Sequence, residues 1–402
     1  MNSRTSGLLL ILIAMMTALG VTAARSDTVA ATDVVAPLVV TPIASPNPVL
    51  GADDLQHLAY EFTLMSFASS AVTIKKVETL DAATNDVIGT LDGDALAKML
   101  RLNSGIKGGE LGAGGSGILF MDVTLAKDAS VPAKLLHRFT LSVANPPKAD
   151  ASGDHDPTPE HAQEVVFTTD PLPVGPAAVV VAPPLKGPRW AVGGGCCSPP
   201  SYHRSATLPI NGAIRVAERF AIDFVRLNDK DKLFTGDMLK VSDYEYFGDK
   251  IYSVADGTVV GIQEGLPEQI PGRLPEDATI QMAGGNYTVV DIGNGRFAFY
   301  AHMQPGSLKV KLGDRIKTGD VIGLLGNTGN TDTPHLHFHV MDGPSPLLSN
   351  GLPYAFTSFT GQGRITDEQP LFTGGVSDVD SAVWAGPHKN ELPLNLEVVS
   401  FP

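Results

Sequence analysis

Residues 333–340 read Thr-Pro-His-Leu-His-Phe-His-Val. Apolar and imidazole side chains alternate there, which is the period of a β-strand. Leu336, Phe338 and Val340 would face a core. His335, His337 and His339 would line the opposite side, spaced about 6–7 Å apart along the strand. Three imidazoles on one wall are costly to bury without partners, so the wall is expected to line a polar cleft. A metal ion is the expected partner, because neutral imidazole is a common ligand. A solvated face with incidental histidines is the bland alternative. Three histidines in alternation, with another His and an Asp upstream in suitable contexts, favour a site.

The rest of the chain also reads as short strands. Its 402 residues suffice for two domains and a tail, and 42 Gly with 30 Pro point to turns and linkers rather than long helices. The formal charge of −14 argues against nucleic acid as a general partner. Residues 1–24 read as a secretory signal: Arg4, an apolar run from Leu8 to Val21, then the small residues Thr22-Ala23-Ala24. That run is too short for a comfortable membrane span, and no later stretch is long enough. A periplasmic or extracellular mature protein is expected.

Residues 35–143 alternate repeatedly, as in His57–Leu64, Val72–Val77, Ile118–Leu125 and Leu136–Val143, with Gly-rich turns between. This spacing predicts an antiparallel, immunoglobulin-like β-sandwich, with one short helix over Asp94–Leu102. His57 and His137 fall inside strand patterns and read as structural. Residues 144–187 read as a Pro/Gly-rich linker, in which His155 and His161 are expected to be solvated. Cys196 and Cys197 are adjacent and are the only cysteines. Export favours a bond between the neighbours as a local clip. Two unpaired loop thiols, or an intermolecular bond, are the alternatives, and metal binding is disfavoured by the missing spacer.

A second all-β domain is read over residues 188–345. In Arg219–Val225, Phe220, Ile222 and Phe224 share one face and Asp223 takes the other. Asn286–Ile292 leads through Gly293-Asn294-Gly295, a hairpin signal, into Arg296–His302. Leu308–Lys311 and Val321–Gly326 read as further short strands. Asp229–Asp249 is an acidic insertion, either a cleft rim or a solvated loop. Residues 346–402 form a C-terminal extension, with Gly361–Gly386 read as loop, Leu394–Phe401 as strand and His388 as exposed.

Ala255-Asp-Gly-Thr-Val259, Tyr300-Ala-His302, the Gly-Asp turns at 313 and 319, Gly326-Asn-Thr-Gly-Asn330 and Pro334-His-Leu-His-Phe338 occur in that order. Together they resemble the lysostaphin-like (LytM-type) zinc peptidases of bacterial cell walls, over roughly Arg219–Met341. The resemblance implies a small antiparallel β peptidase module that cuts peptide cross-links in peptidoglycan. It makes His337 and Asp223 zinc ligands, and it places His302 and His335 beside the metal as catalytic groups. His339 lies one step further on and reads as a support. The chemistry suits the residues: zinc takes about three protein ligands, polarises a carbonyl and acidifies water, and an imidazole moves protons near neutral pH.

One departure stands out. Where the family has H-x-x-x-D, this chain has Arg219-Phe-Ala-Ile-Asp223. A guanidinium stays protonated and offers no lone pair to zinc. Either His203, in Ser201-Tyr-His-Arg204, completes the shell, or the metal is lost and Arg219 pairs with Asp223 in a cleft that binds without cutting. Three functions are therefore carried forward. The first is a zinc endopeptidase acting on peptidoglycan peptides. The second is a degenerate peptidoglycan-binding module or activator of another wall hydrolase. The third is a carbohydrate-binding sandwich beside an inert β module.

Overall fold

The computed structural model describes residues 33–103, 109–144, 162–276 and 278–402. The signal reading over 1–24, His155 and His161 fall outside these residues. Ala36–Pro402 form one compact unit; of Met1–Val35 only residues 33–35 are described, and they are irregular. The protein is all-β apart from a few short helical pieces, and no helix among the described residues is long and apolar enough to cross a membrane.

Two antiparallel sheets make up the N-terminal region. One is built on Leu55–Ser66 paired with Ser116–Ala126, the other on Val72–Asp81 paired with Lys134–Val143. Leu58, Tyr60, Phe62 and Leu64 alternate into a core that also takes Ile74, Val77, Leu119, Met121, Phe139 and Leu141. Each buried side chain of this size contributes roughly 1.5–3 kcal/mol. The expected helix over Asp94–Leu102 is shorter, Gly93–Lys98, because Leu100–Leu102 pair with Ser116–Ala126 instead. His137 meets the Tyr60 hydroxyl at 2.6 Å inside this core.

Strand Leu55–Ser66 is buried on both faces. His57, Ala59 and Glu61 point away from the sandwich core yet are 6%, 1% and 0% exposed, and Ala59 packs into the core of the second module. His57 lies between two carboxylates, with Nδ1 3.1 Å from Asp122 and Nε2 3.2 Å from Asp53. Burial opposes its charge, but the two carboxylates outweigh that and lift its pKa to about 9. A folded-state pKa above the unfolded value gives stability that is present below pH 6.5 and lost as pH rises through about 9. Fully expressed, the shift corresponds to roughly 3 kcal/mol. Urea midpoints from pH 6 to pH 10 should fall more steeply for the wild type than for His57→Gln, and parallel profiles would exclude this ion pair as the cause.

The second module is built on a twelve-stranded sheet. Its central order is Asn286–Asp291, Phe297–Met303, Leu336–Met341, Ile222–Arg226, Gly187–Gly193, Glu397–Phe401, Phe359–Ile365. The Gly293–Gly295 turn has positive φ at all three residues and sets Asp291 opposite Phe297, as a hairpin requires. Leu336, Phe338 and Val340 pack with Phe220, Ile222 and Phe224 in one core.

Several local expectations are corrected. Leu308–Lys311 is irregular. Residues 361–386 are not loop throughout, since Phe359–Ile365 pairs with Glu397–Phe401 and with Val379–Asp380. The connector contains Val179–Val181, which pairs in parallel with Tyr354–Phe356. In the acidic insertion Leu233, Phe234, Tyr244 and Tyr246 are buried in the main core, so it is neither a cleft rim nor a solvated loop. His388 is held by Glu391 and the Trp384 carbonyl and stacks on Phe359, rather than being exposed.

Candidate metal centre

The site rests on three neighbouring strands. Leu336–Met341 lies between Ile222–Arg226 and Phe297–Met303, and His337 stands directly opposite Asp223 on one side and Ala301 on the other. Asp223 and His337 therefore share a sheet face by register alone. His302 does not follow from alternation, because it follows Ala301 and a regular strand would turn it to the other face. A register irregularity between Thr288 and Asn286, opposite Tyr300 and Met303, together with φ of 62° at His302, swings the imidazole onto the His337 face. His335 enters from the loop before its strand, and its Nδ1 contacts the Thr333 carbonyl at 2.8 Å.

His203 comes from a four-residue helix, Tyr202–Ser205, capped by Ser201, whose Oγ accepts from the Arg204 amide. Its ring lies against Gly194, where a Cβ would come within 2.5 Å of His203 Nδ1. Glycine is also suited to the backbone there, which has φ of 64°.

Three imidazoles are held in the same way, with Nδ1 donating to a carbonyl: His203 to Gly194 O and Ala221 O at 3.1 Å, His302 to Thr328 O at 2.6 Å, and His335 to Thr333 O. His337 differs: it lies between His339 Nδ1, 2.9 Å from its Nε2, and Asp223 Oδ1, 2.9 Å from its Nδ1. The Nε2 atoms of His203 and His335 each lie 3.2 Å from the same carboxylate. The Tyr202 hydroxyl donates to the same carboxylate at 2.8 Å. His339 keeps a buried Nε2 with no partner.

Lone pairs on nitrogen facing a carboxylate at such distances repel unless positive charge lies between them. Burial and the His335 and His337 imidazoles hold His302 neutral, well below its usual pKa. Burial works against the charged forms of both Asp223 and His203, but their mutual attraction prevails, keeping the Asp223 carboxyl ionised and lifting His203 to about 9. A proton on each of three imidazoles would leave the cluster with net charge of two, whereas one divalent cation among neutral imidazoles leaves one. His203, Asp223 and His337 donor atoms lie within 4.8 Å of one another, as do those of His302, His335 and His337. Tetrahedral bonds of zinc to nitrogen and oxygen put ligand atoms roughly 3.4 Å apart. The distances to Asp223 match that spacing, and the first donor set fits zinc.

Arg219 does not pair with Asp223, contrary to one of the two expectations. Its guanidinium is 2% exposed, donates to Glu61 at 3.1 Å and to the Gly351 carbonyl, and is absent from the cavity wall. Of the predicted residues, Asp223, His203, His302, His335 and His337 converge, and Arg219 is turned away. Sequence reasoning missed Tyr202, whose only cue is its place beside His203.

The imidazoles open into a cavity of about 530 Å³, whose further wall includes Glu218, Gln263, Gln281, Tyr287, Phe299 and Leu347. Cys196 and Cys197 are disulfide-bonded to each other, outside that wall.

Residues 242–348 match the family model described as Peptidase family M23. The match takes in His302, His335 and His337 and begins downstream of Asp223. Peptidoglycan DD-endopeptidase ShyA of Vibrio cholerae is 40% identical over 86 residues, 20% of this chain and 20% of that protein. DD-carboxypeptidase/endopeptidase Mpg of Neisseria meningitidis is 31% identical over 100 residues, 23% of each chain. The chain thus spans about a fifth of the length of the relatives it matches. Among solved structures, the catalytic domain of lysostaphin from Staphylococcus simulans aligns at 21% identity with TM-score 0.22, covering 40% of this chain and 84% of that one. By the order of its motifs and the match over residues 242–348, this chain carries a segment of the Peptidase family M23, LytM-type, kind.

Proposed function

We propose that this chain is an exported zinc endopeptidase that cuts the peptide cross-links of bacterial peptidoglycan. The observation that carries the reading is the convergence of three imidazoles, those of His203, His335 and His337, on the Asp223 carboxylate in the wall of an open cavity, with His302 beside His335 and His337. The peptidoglycan endopeptidase activity named for ShyA supports the choice of substrate.

His203, Asp223 and His337 would hold the ion. Zinc bound there would polarise an amide carbonyl and acidify water. His302, kept neutral and anchored through Nδ1 on Thr328 O, presents Nε2 to accept the proton of the attacking water. His335, anchored through Nδ1 on Thr333 O, would hold the developing oxyanion when its Nε2 also carries a proton. With Nδ1 of His337 on the ion, His337 Nε2–H would donate to His339 Nδ1, the usual task of a group behind a metal ligand. Tyr287, Phe299 and Leu347 give the peptide an apolar wall.

Residues 1–24 would direct export to the periplasm or the exterior. The second reading, a binding module or activator of a wall hydrolase, is favoured by the arginine at position 219 alone, and the turn of that side chain towards Glu61 weakens it. Metal analysis with digestion of purified peptidoglycan separates the two. One zinc per wild-type chain, markedly less in His203→Ala, and new amino termini from cross-linked peptides are expected. No zinc under zinc-replete conditions would defeat the enzyme reading.

A further inference from the structure

We infer that the N-terminal sandwich is a working part of the metal centre, and that Glu61 is its positioning residue. The inference rests on His203 being a ligand, as proposed above.

Glu61 sits on the outer face of strand Leu55–Ser66 and is fully buried. One carboxylate oxygen accepts from Arg204 Nε at 3.0 Å, the other from Arg219 Nη1 at 3.1 Å. Arg204 is the residue after His203 on the short helix, and it too is 0% exposed. Its remaining donors reach the carbonyls of Tyr60 and Met121 in the sandwich and of Cys197 beside the helix. A third sandwich strand, Leu100–Leu102, adds Arg101, which donates to Ser205 O at the end of the same helix and to Thr207 Oγ1 just beyond it.

A helix of four residues has almost no stability of its own. Its place is therefore set by what grips it, and the sandwich holds its C-terminal half through Arg204, Ser205 and Thr207 while Gly194, Ala221 and Asp223 hold Tyr202 and His203. That place decides whether His203 Nε2 stands 3.2 Å from Asp223 or elsewhere. No sandwich side chain lines the cavity among the described residues, so the sandwich acts on the site through the helix and not by touching substrate. The arrangement also gives Arg219 a task. With one carboxylate between two buried guanidiniums, both cations depend on Glu61, and losing it strands two charges at once.

The test uses the full chain with Glu61→Gln, and Val77→Ala as a control that loosens the sandwich core away from the helix. Two quantities are read: zinc affinity by competition with a chromophoric chelator, and the rate at which diethylpyrocarbonate labels His203 in the metal-free chain, by peptide mapping. Glu61→Gln should weaken zinc about 10–100-fold, as loss of a supporting group does, and should speed His203 labelling while Val77→Ala moves neither. If Glu61→Gln does not fold, Arg101→Ala is read the same way and should shift both quantities less. Unchanged affinity with unchanged protection overturns the inference, and so do equal effects in Val77→Ala. A wild-type chain that takes up no zinc removes the metal reading alone; the labelling then decides the clamp, faster labelling supporting it and unchanged labelling overturning it.

Discussion

Replacing His337 with alanine is expected to strip the chain of zinc and to end cleavage of peptidoglycan peptides. His337 is common to both possible donor sets, and its Nδ1 lies 2.9 Å from Asp223. Losing a direct ligand should cost more than the roughly 10–100-fold typical of a supporting group. The fold should survive, because His337 belongs to the cavity wall while its neighbours Leu336 and Phe338 fill the core. Zinc content after dialysis, together with far-UV circular dichroism, checks both halves. A folded His337→Ala chain that retains zinc at the wild-type level would remove His337 from the ligand set.

His302→Ala should behave in the opposite way. Its Nδ1 is engaged by Thr328 O at 2.6 Å, and it is absent from the donor set built on Asp223. The variant should keep its zinc and lose about 10²–10⁴ in kcat, the range for a positioned acid–base group. KM should change little, since no other wall residue is disturbed. Single-turnover digestion of a defined cross-linked peptide, with metal analysis of the same sample, reads both quantities. If zinc is lost in parallel with activity, the ion sits among His302, His335 and His337 instead, and His203 becomes a bystander.

Much of this centre is written in local periodicity. The alternation of His335–Val340 gave a strand with a polar and an apolar face, and the same rule put Asp223 opposite Phe220, Ile222 and Phe224. Gly293-Asn294-Gly295 announced its hairpin because positive φ is demanded there. The failures share a cause, which is dependence on distant chain. The aim of His302 is set by a bulge in register with another strand. His203 rides on a helix too short to show a period. Arg219 finds its partner 158 residues away, on a strand whose outer face looked like an ordinary solvent side until the second module covered it. Tyr244, Tyr246 and Phe234 lie within an acidic run whose charge hid three core residues. Phe359–Ile365 escaped notice because glycines interrupt it, and its pairing with Glu397–Phe401 supplies the order its own sequence lacks.

Asp223, His337 and Ala301 occupy one rung of three hydrogen-bonded strands. Pairing on both sides restrains such a rung, so an arriving ion would meet a receptacle whose dimensions are already set on that side. Loading would then require little ordering of the protein, and its speed would be governed by passage down the cavity and by the shedding of protons and hydration water.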